Sequence, residues 1–325
     1  MKNFKKLLYS QWFVLVIIII LIGTVTTIVN PKFLTWKNFL AIVTQVASLS
    51  VVAIGATIMI ASGHFDISVG AVIGLCTCVM AIMIINGANE FVVFLVGMVL
   101  STVCCVLNGA LSIALNAPSF IITLATSGIY TGIGLLLTEG VLQMITGKFR
   151  FFSGTKVFGA VPIMVVIALA CYVLAYIMFK FTQTGRQIYA IGANPNAAYL
   201  SGINVNKSKL KFFAIDGLLV GLAASMYLSR LGSGLPSYGS GMEMDAMGAV
   251  VIGGTPISGG KGSIGGTLCG VLLIGLISNS LNMMHVNAFY QDIASGALII
   301  LALTISMIRT KLVARQAAED AKAKA

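Results

Sequence analysis

Nine carboxylates, two histidines and six cysteines are the acid–base and ligand chemistry this chain carries, and their spacing limits what they can do. No histidine–carboxylate cluster and no serine–histidine pair occurs. His64 and His285 stand alone, so neither general acid–base nor nucleophilic catalysis has a constellation to rest on. His64 also lacks a metal-ligand partner nearby and reads as a loop residue. Cys76, Cys78, Cys104, Cys105, Cys171 and Cys269 all sit inside apolar runs. Cysteines adjacent or two apart point to different sides of a helix, so they read as small packing residues, with no metal clamp, disulfide framework or redox centre. Gly260-Lys261-Gly262-Ser263-Ile264-Gly265 satisfies G-x-G-x-x-G, but no strand precedes it and no acidic residue follows about 20 positions on, as a dinucleotide site requires. It is not a phosphate-binding P-loop either, because Gly260-Lys261 is followed by Gly262 rather than by serine or threonine. The chain is expected to bind no metal or cofactor of its own and to catalyse no reaction.

The elements around these residues explain the scarcity. The chain is 58% apolar and only 9% charged, against about 25% charged in a soluble domain, with a mean hydropathy of +1.01. This is the composition of an all-α polytopic membrane protein. Candidate spans are 11–29, 39–62, 67–85, 91–115, 118–138, 161–181, 210–231, 244–258, 262–283 and 289–308, most near the ~20 residues that cross the hydrocarbon core. The run 244–258 is short and glycine-rich and reads as a broken or tilted helix. Met1 to Lys6 resembles the start of a signal peptide, but the uncharged run 11–29 has no small-residue cleavage site and is read as a retained span.

About ten spans place both termini on one side. Lys2, Lys5 and Lys6 at the start, Arg309, Lys311, Arg315, Lys322 and Lys324 at the end, and Arg186, Lys207 and Lys209 between put the termini and the 182–209 loop in the cytoplasm. Lys32, Lys37, Lys148, Arg150 and Lys156 count against that orientation and are outvoted. The net charge of +11 lies at ends and loops rather than on one face, which suits anionic lipid and not nucleic acid. Residues 1–310 form the membrane domain and 311–325 a charged, alanine-rich cytoplasmic tail.

Several polar residues stand inside or at the ends of these runs. Asp66 follows one span and precedes the next. A carboxylate at mid-membrane costs about 2.5–3.5 kcal/mol on insertion scales, so Asp66 is expected to cap the next helix by accepting from the amides of Ser68 and Val69, with a direct part in gating or in the solute path as the other reading. Asp216 lies five residues past Lys211, and a salt bridge between them is the cheaper explanation than an ion site. Asn108, Asn116, Thr123 and Thr126 offer uncharged hydrogen-bonding groups that either line a polar path or bond helix to helix. Trp36 reads as an aromatic anchor at the headgroup level. The 139–160 loop mixes aromatics, glycines and cations, and either docks a partner or packs across the outer surface.

The most informative stretch is 181–211. Thr184-Gly185-Arg186 is read as a turn before an apolar run. Asn194 caps a short helix with Pro195 at its first position, Ala197 and Ala198 in its body and Gly202 at its end. With few large apolar residues, such a helix is built to be packed against by something else. This block, TGRQIYAIGANPNAAYLSGI at 184–203, resembles the cytoplasmic coupling loop of permease subunits in ribose-type sugar ABC importers. Ser62 to Ala71, with Asp66, Ser68 and Gly70, resembles a second motif of that family. Gly248 to Thr267, with Gly253, Gly254, Gly259, Gly260, Gly262 and Gly265, resembles its glycine-rich third, and the region of Asn108 and of Pro118 to Thr126 is a looser match.

The resemblance implies a permease subunit that carries a pentose or related monosaccharide across the bacterial cytoplasmic membrane by alternating access. Its coupling loop, with Gly185, Arg186, Ala190, Gly192, Asn194, Ala197, Ala198 and Gly202, would enter a groove on a cytoplasmic ABC ATPase, where ATP binds. Asp66, Ser68, Gly70 and the six glycines would serve gating or structure. The path would draw on Asn108, Asn116, Phe120, Thr123 and Thr126. A second permease, identical or homologous, and an extracytoplasmic sugar-binding protein complete the machine. Ser263-Ile264-Gly265-Gly266 echoes Ser68-Val69-Gly70-Ala71, which hints at a weak two-fold repeat. An ion-coupled secondary sugar transporter is the competing reading.

Overall fold

The computed structural model describes residues 20, 22–157 and 159–287, with positions 290, 293, 296, 297, 300 and 304 beyond them. The lysines near the N-terminus, the 311–325 tail, and much of the spans at 11–29 and 289–308 lie outside the described residues. Helices dominate, since a chain this apolar must pair its backbone groups within each segment to sit in lipid. After a helical stretch at 22–29 come a 3-10 turn Pro31–Leu34, α1 Trp36–Gln45, α2 Ala47–Ala61, α3 Val69–Ile85, α4 Glu90–Ala114 and α5 Ser119–Thr138. There follow the short α6 Phe151–Gly154, α7 Ile163–Phe181, α8 Gln183–Ala193, α9 Pro195–Leu200, α10 Val205–Leu231, α11 Met242–Ile252 and α12 Ile264–Met283. By length and composition, α4, α5, α7, α10 and α12 can each cross a membrane, and α1 with α2 makes a sixth span if their 43° bend is crossed as one. The bend has a physical cause: Arg230 donates to the carbonyl of Gln45 at 3.0 Å, withdrawing it from the helical ladder.

The bundle is built around α10, the most buried of the long helices. It lies against α4, α2 and α3. Gly217 and Gly221, four residues apart, let it approach α4 closely. A Cβ at Gly217 would stand 2.6 Å from the Thr102 Cα, and one at Gly221 2.9 Å from the Met98 Cα. Small residues in this spacing replace a hydrophobic driving force with backbone-to-backbone packing. The outer faces of α4, α5 and α7 stay apolar and exposed, for example Val99, Leu107, Leu124 and Leu136, as surfaces turned to lipid or to a partner must be.

Residues 232–241 do not continue α10. Gly232 ends it in the left-handed region, and the chain then follows α3, first as the two-residue strand Ser233–Gly234 and then through successive turns. A Cβ at Gly234 would meet the carbonyl of Thr77, one at Gly74 the carbonyl of Pro236, and one at Gly70 that of Gly239. The helix resumes only at Met242, so the span expected at 244–258 is an 11-residue helix preceded by an unwound segment.

The 139–160 loop packs across the bundle end. Gln143–Met144 (β1) pairs antiparallel with Ser233–Gly234 (β4), and Lys156–Val157 (β2) with Val161–Pro162 (β3). Phe149 donates its amide to Glu90 at 2.7 Å and Ser153 to Ser229 at 3.1 Å. Ile145, Phe149 and Phe152 are buried beneath. Of the two readings of this loop, packing is the one its contacts show.

Candidate functional site

The loop between α7 and α10 folds into two helices. Thr182 caps α8 by accepting from the Gly185 amide at 3.3 Å, so Thr184-Gly185-Arg186 is the first turn of an 11-residue helix and not the turn the sequence suggested. Gly185 is needed there for contact: a Cβ would stand 2.3 Å from the Phe179 carbonyl oxygen. Arg186 is exposed and Ala190 half-buried. Asn194 caps α9 as expected, accepting from the amides of Asn196 and Ala197 at 3.0 Å each, and Gly202 leaves it at φ +83°. Ala198 is 4% exposed and faces inward, whereas Tyr199 is 69% and Leu200 84% exposed. The sequence reading passed over these two; their signal was an aromatic and an aliphatic residue at the end of a polar, well-capped helix. Asn194→Ala should cost α9 about 1 kcal/mol. Hydrogen exchange at the Asn196 and Ala197 amides should speed by roughly fivefold, while Asn194→Asp should restore protection.

At its other end α8 is seated on two connections from elsewhere in the chain. Gly192 meets the last residue of α2 and the α11–α12 loop so closely that a Cβ would lie 2.0 Å from the Ala61 carbonyl oxygen and 2.6 Å from the Gly260 nitrogen. That nitrogen donates to the same Ala61 carbonyl at 2.9 Å. Gly259 and Gly260 adopt φ of +76° and +74°, which glycine tolerates without strain. Tyr189 donates its hydroxyl to the Gly262 carbonyl at 3.0 Å, and burial raises its phenol above the usual range. Gly253 crosses Gly266 backbone to backbone, and Gly254 turns the chain at φ +98°. Gly265 is exposed in the first turn of α12. All three motif blocks therefore meet at one end of the bundle. His64, in the same α2–α3 connection, is pushed by burial down to about 4, the nearby Lys209 adding to the effect.

Asp66 holds the α2–α3 connection differently from expectation. Its Oδ1 accepts from the amide of Ser68 at 2.8 Å and from the Ser68 hydroxyl at 2.6 Å, not from Val69. Asn108 donates to the Ser68 hydroxyl at 2.8 Å and accepts from Tyr130 at 3.0 Å. Thr123 accepts from the Ile67 amide at 3.0 Å, and Thr126 donates to the Thr123 carbonyl at 3.2 Å. Asn108, Thr123 and Thr126 are thus buried and committed to bonds within the protein, while Asn116 and Phe120 are exposed. The unwound segment adds exposed hydroxyls at Ser237 and Ser240; its sequence signal was the turn-former run Gly232-Ser233-Gly234-Leu235-Pro236-Ser237. Asp216 does not pair with Lys211. The lysine donates instead to Thr184 at 2.5 Å, and Asp216 is 1% exposed with no hydrogen-bond partner on either carboxyl oxygen among the described residues. Five residues is more than one helical turn, and the long lysine side chain reaches the polar end of α8 rather than back into the bundle.

Known proteins place this arrangement. The chain is 38% identical over 298 residues to the ribose import permease protein RbsC of Bacillus subtilis, covering 90% of this chain and 89% of that one. It is 36% identical over 305 residues to the Haemophilus influenzae protein of the same name, covering 92% and 93%. It is 33% identical over 306 residues to the D-allose transport system permease protein AlsC of Escherichia coli, covering 93% and 92%. No solved structure matches it. The model of the family described as branched-chain amino acid transport system / permease component matches residues 38–303, and the chain, a polytopic membrane permease by its helices and its relatives alike, belongs to that family.

Proposed function

We propose that this chain is the membrane-spanning subunit of an ABC importer for a pentose or related monosaccharide, in the bacterial cytoplasmic membrane. Its α8–α9 module docks a cytoplasmic ATPase, which binds and hydrolyses the ATP. The observation that carries this reading is the pairing of an exposed Tyr199–Leu200 tip with a base locked at Gly192. A tip of that kind offers a partner apolar anchors, and a rigid base transmits a push to the α2–α3 and α11–α12 connections without dissipating it in a loop.

In this reading the chain has about ten spans with both termini and the 182–209 loop cytoplasmic. It works beside a second permease, identical or homologous, beneath an extracytoplasmic sugar-binding protein. The α2–α3 and α11–α12 pairs are the two halves of a weak internal repeat, meeting where Thr57 and Thr267 share a hydrogen bond of 2.8 Å. The solute path draws on the exposed hydroxyls of Ser237 and Ser240 and on Asn116 and Phe120, which suits a neutral, polyhydroxyl solute. Asn108, Thr123 and Thr126 support that path from behind. The names of the relatives, ribose and D-allose permeases, support a monosaccharide.

The test is purification of the tagged chain in mild detergent from cells that express its neighbours, followed by identification of what co-purifies and an ATPase assay. An ATPase subunit whose hydrolysis rises with sugar-loaded binding protein is the expected result. A chain that purifies alone and moves sugar into liposomes without ATP overturns the reading.

A further inference from the structure

We propose that Asp66, Asp216 and Cys105 form a binding site for one divalent metal cation inside the bundle, independent of the reading of the chain as a sugar permease. The three residues come from separate elements, the α2–α3 connection, α10 and α4, and are 7%, 1% and 0% exposed. One oxygen of each carboxyl and the Cys105 sulfur all lie within 4.8 Å of one another. Asp66 Oδ1 is bonded to Ser68, and the Cys105 thiol stands close enough to the Asp66 carboxyl to donate to it. Asp66 Oδ2 and both oxygens of Asp216 are buried with no partner of hydrogen-bonding geometry among the described residues. The nearby cations are turned elsewhere, Lys211 to Thr184 and Lys209 to Ser112. Asp66 and Asp216 also border one cavity of about 10 Å³ with Ala56, Met59, Ile60, Phe65, Val69 and Met247. The surface it exposes is apolar and Cys105 is not on it, so the ion would sit among the three ligand atoms beside this space. Glycine at 55 leaves the space for the Asp216 carboxyl, since a Cβ there would come 2.0 Å from its Oδ1.

Two adjacent carboxylates without a counter-ion are costly in an apolar bundle, and a divalent cation cancels both charges at once. Carboxylate oxygens accept many divalent ions, and a sulfur on the third side tilts the preference toward zinc over magnesium or manganese. A cation there would tie the connection that carries the Ala61 contact with α8 to α4 and α10, and so stiffen the base of the docking module. The three positions lie far apart in sequence, so no ligand spacing announces the site.

The experiment uses the untagged full-length chain, stripped with a chelator and dialysed against Zn2+ or Mn2+, with metal counted per chain after desalting and the melting midpoint followed in parallel. About one Zn2+ per chain is expected, with a midpoint raised by the metal. Asp216→Asn, which keeps the shape and removes a charge, should weaken retention by at least ~100-fold, beyond the loss of an outer-shell partner, and abolish the metal-dependent shift. Cys105→Ser should erase the preference for Zn2+ over Mn2+; an unchanged preference overturns the three-ligand site. No metal on the wild-type chain, or equal metal on Asp216→Asn, overturns the proposal and leaves the carboxyls neutralised by protons. If Asp216→Asn fails to fold, the wild-type count and the Cys105→Ser preference decide the question alone.

Discussion

Leu200→Glu is expected to leave the permease folded and to weaken its hold on the ATPase subunit by about 30-fold, the ~2 kcal/mol that defines an interface anchor. Leu200 is 84% exposed at the end of α9, so its own protein loses almost nothing when it changes, and the melting midpoint should not move. A partner groove that accepts an apolar tip must instead bury a carboxylate, and truncation by Tyr199→Ala should act in the same direction more mildly. The neighbour Ala198 makes the control. At 4% exposure it packs inward, so a charged residue there should lower the melting midpoint before it says anything about docking. The measurement is a titration of the ATPase subunit against the permease in lipid nanodiscs. Unchanged affinity for Leu200→Glu would remove α9 from the docking surface.

Gly192→Val should damage the base of the module rather than its tip. The added Cβ would stand 2.0 Å from the Ala61 carbonyl oxygen and 2.6 Å from the Gly260 nitrogen, and those two atoms are hydrogen-bonded to each other at 2.9 Å. Both neighbours are backbone atoms, so no side chain can rotate away, and the contact opens only if α8 lifts or the glycine loop retreats. Overpacking of this kind costs about 3 kcal/mol. Transport should fall further than ATPase association, since α9 can still dock while its motion no longer reaches α2 and α12. Gly202→Ala is the comparison: the glycine has a positive φ of +83° but open space around it, and the backbone penalty alone is about 1–2 kcal/mol. Equal losses of stability from the two substitutions would sink the idea of a packed junction.

The α9 helix shows how much local chemistry can say. Asn194, Pro195 and Gly202 specify its start and end through bonds and backbone angles within a few residues, and the helix forms where those signals put it. Gly185 misled for the opposite reason. Glycine commonly marks a turn, but here it lies in a helix because α7 comes within a few ångströms of it, and only the fold creates that proximity. Asp216 is the same lesson in electrostatics: Lys211 was its neighbour in sequence, while Asp66 is its neighbour in space.

The sequence by itself determined that this is a helical membrane protein, where most of the spans lie, which loop carries a short capped helix, and which family it joins. The helices, spans and caps follow from composition, periodicity and short-range hydrogen bonding, all of which act over a few residues; the family follows from the resemblance of the three motif blocks alone. Only the tertiary structure decided that three motif blocks meet at one junction, that Asn108, Thr123 and Thr126 brace helices, that the segment before α11 is unwound, and that two carboxyls share one cavity. Those outcomes depend on which helix faces which, and in a chain so uniformly apolar that choice is made by glycine contacts and buried polar pairs hundreds of residues apart, such as Thr57 with Thr267.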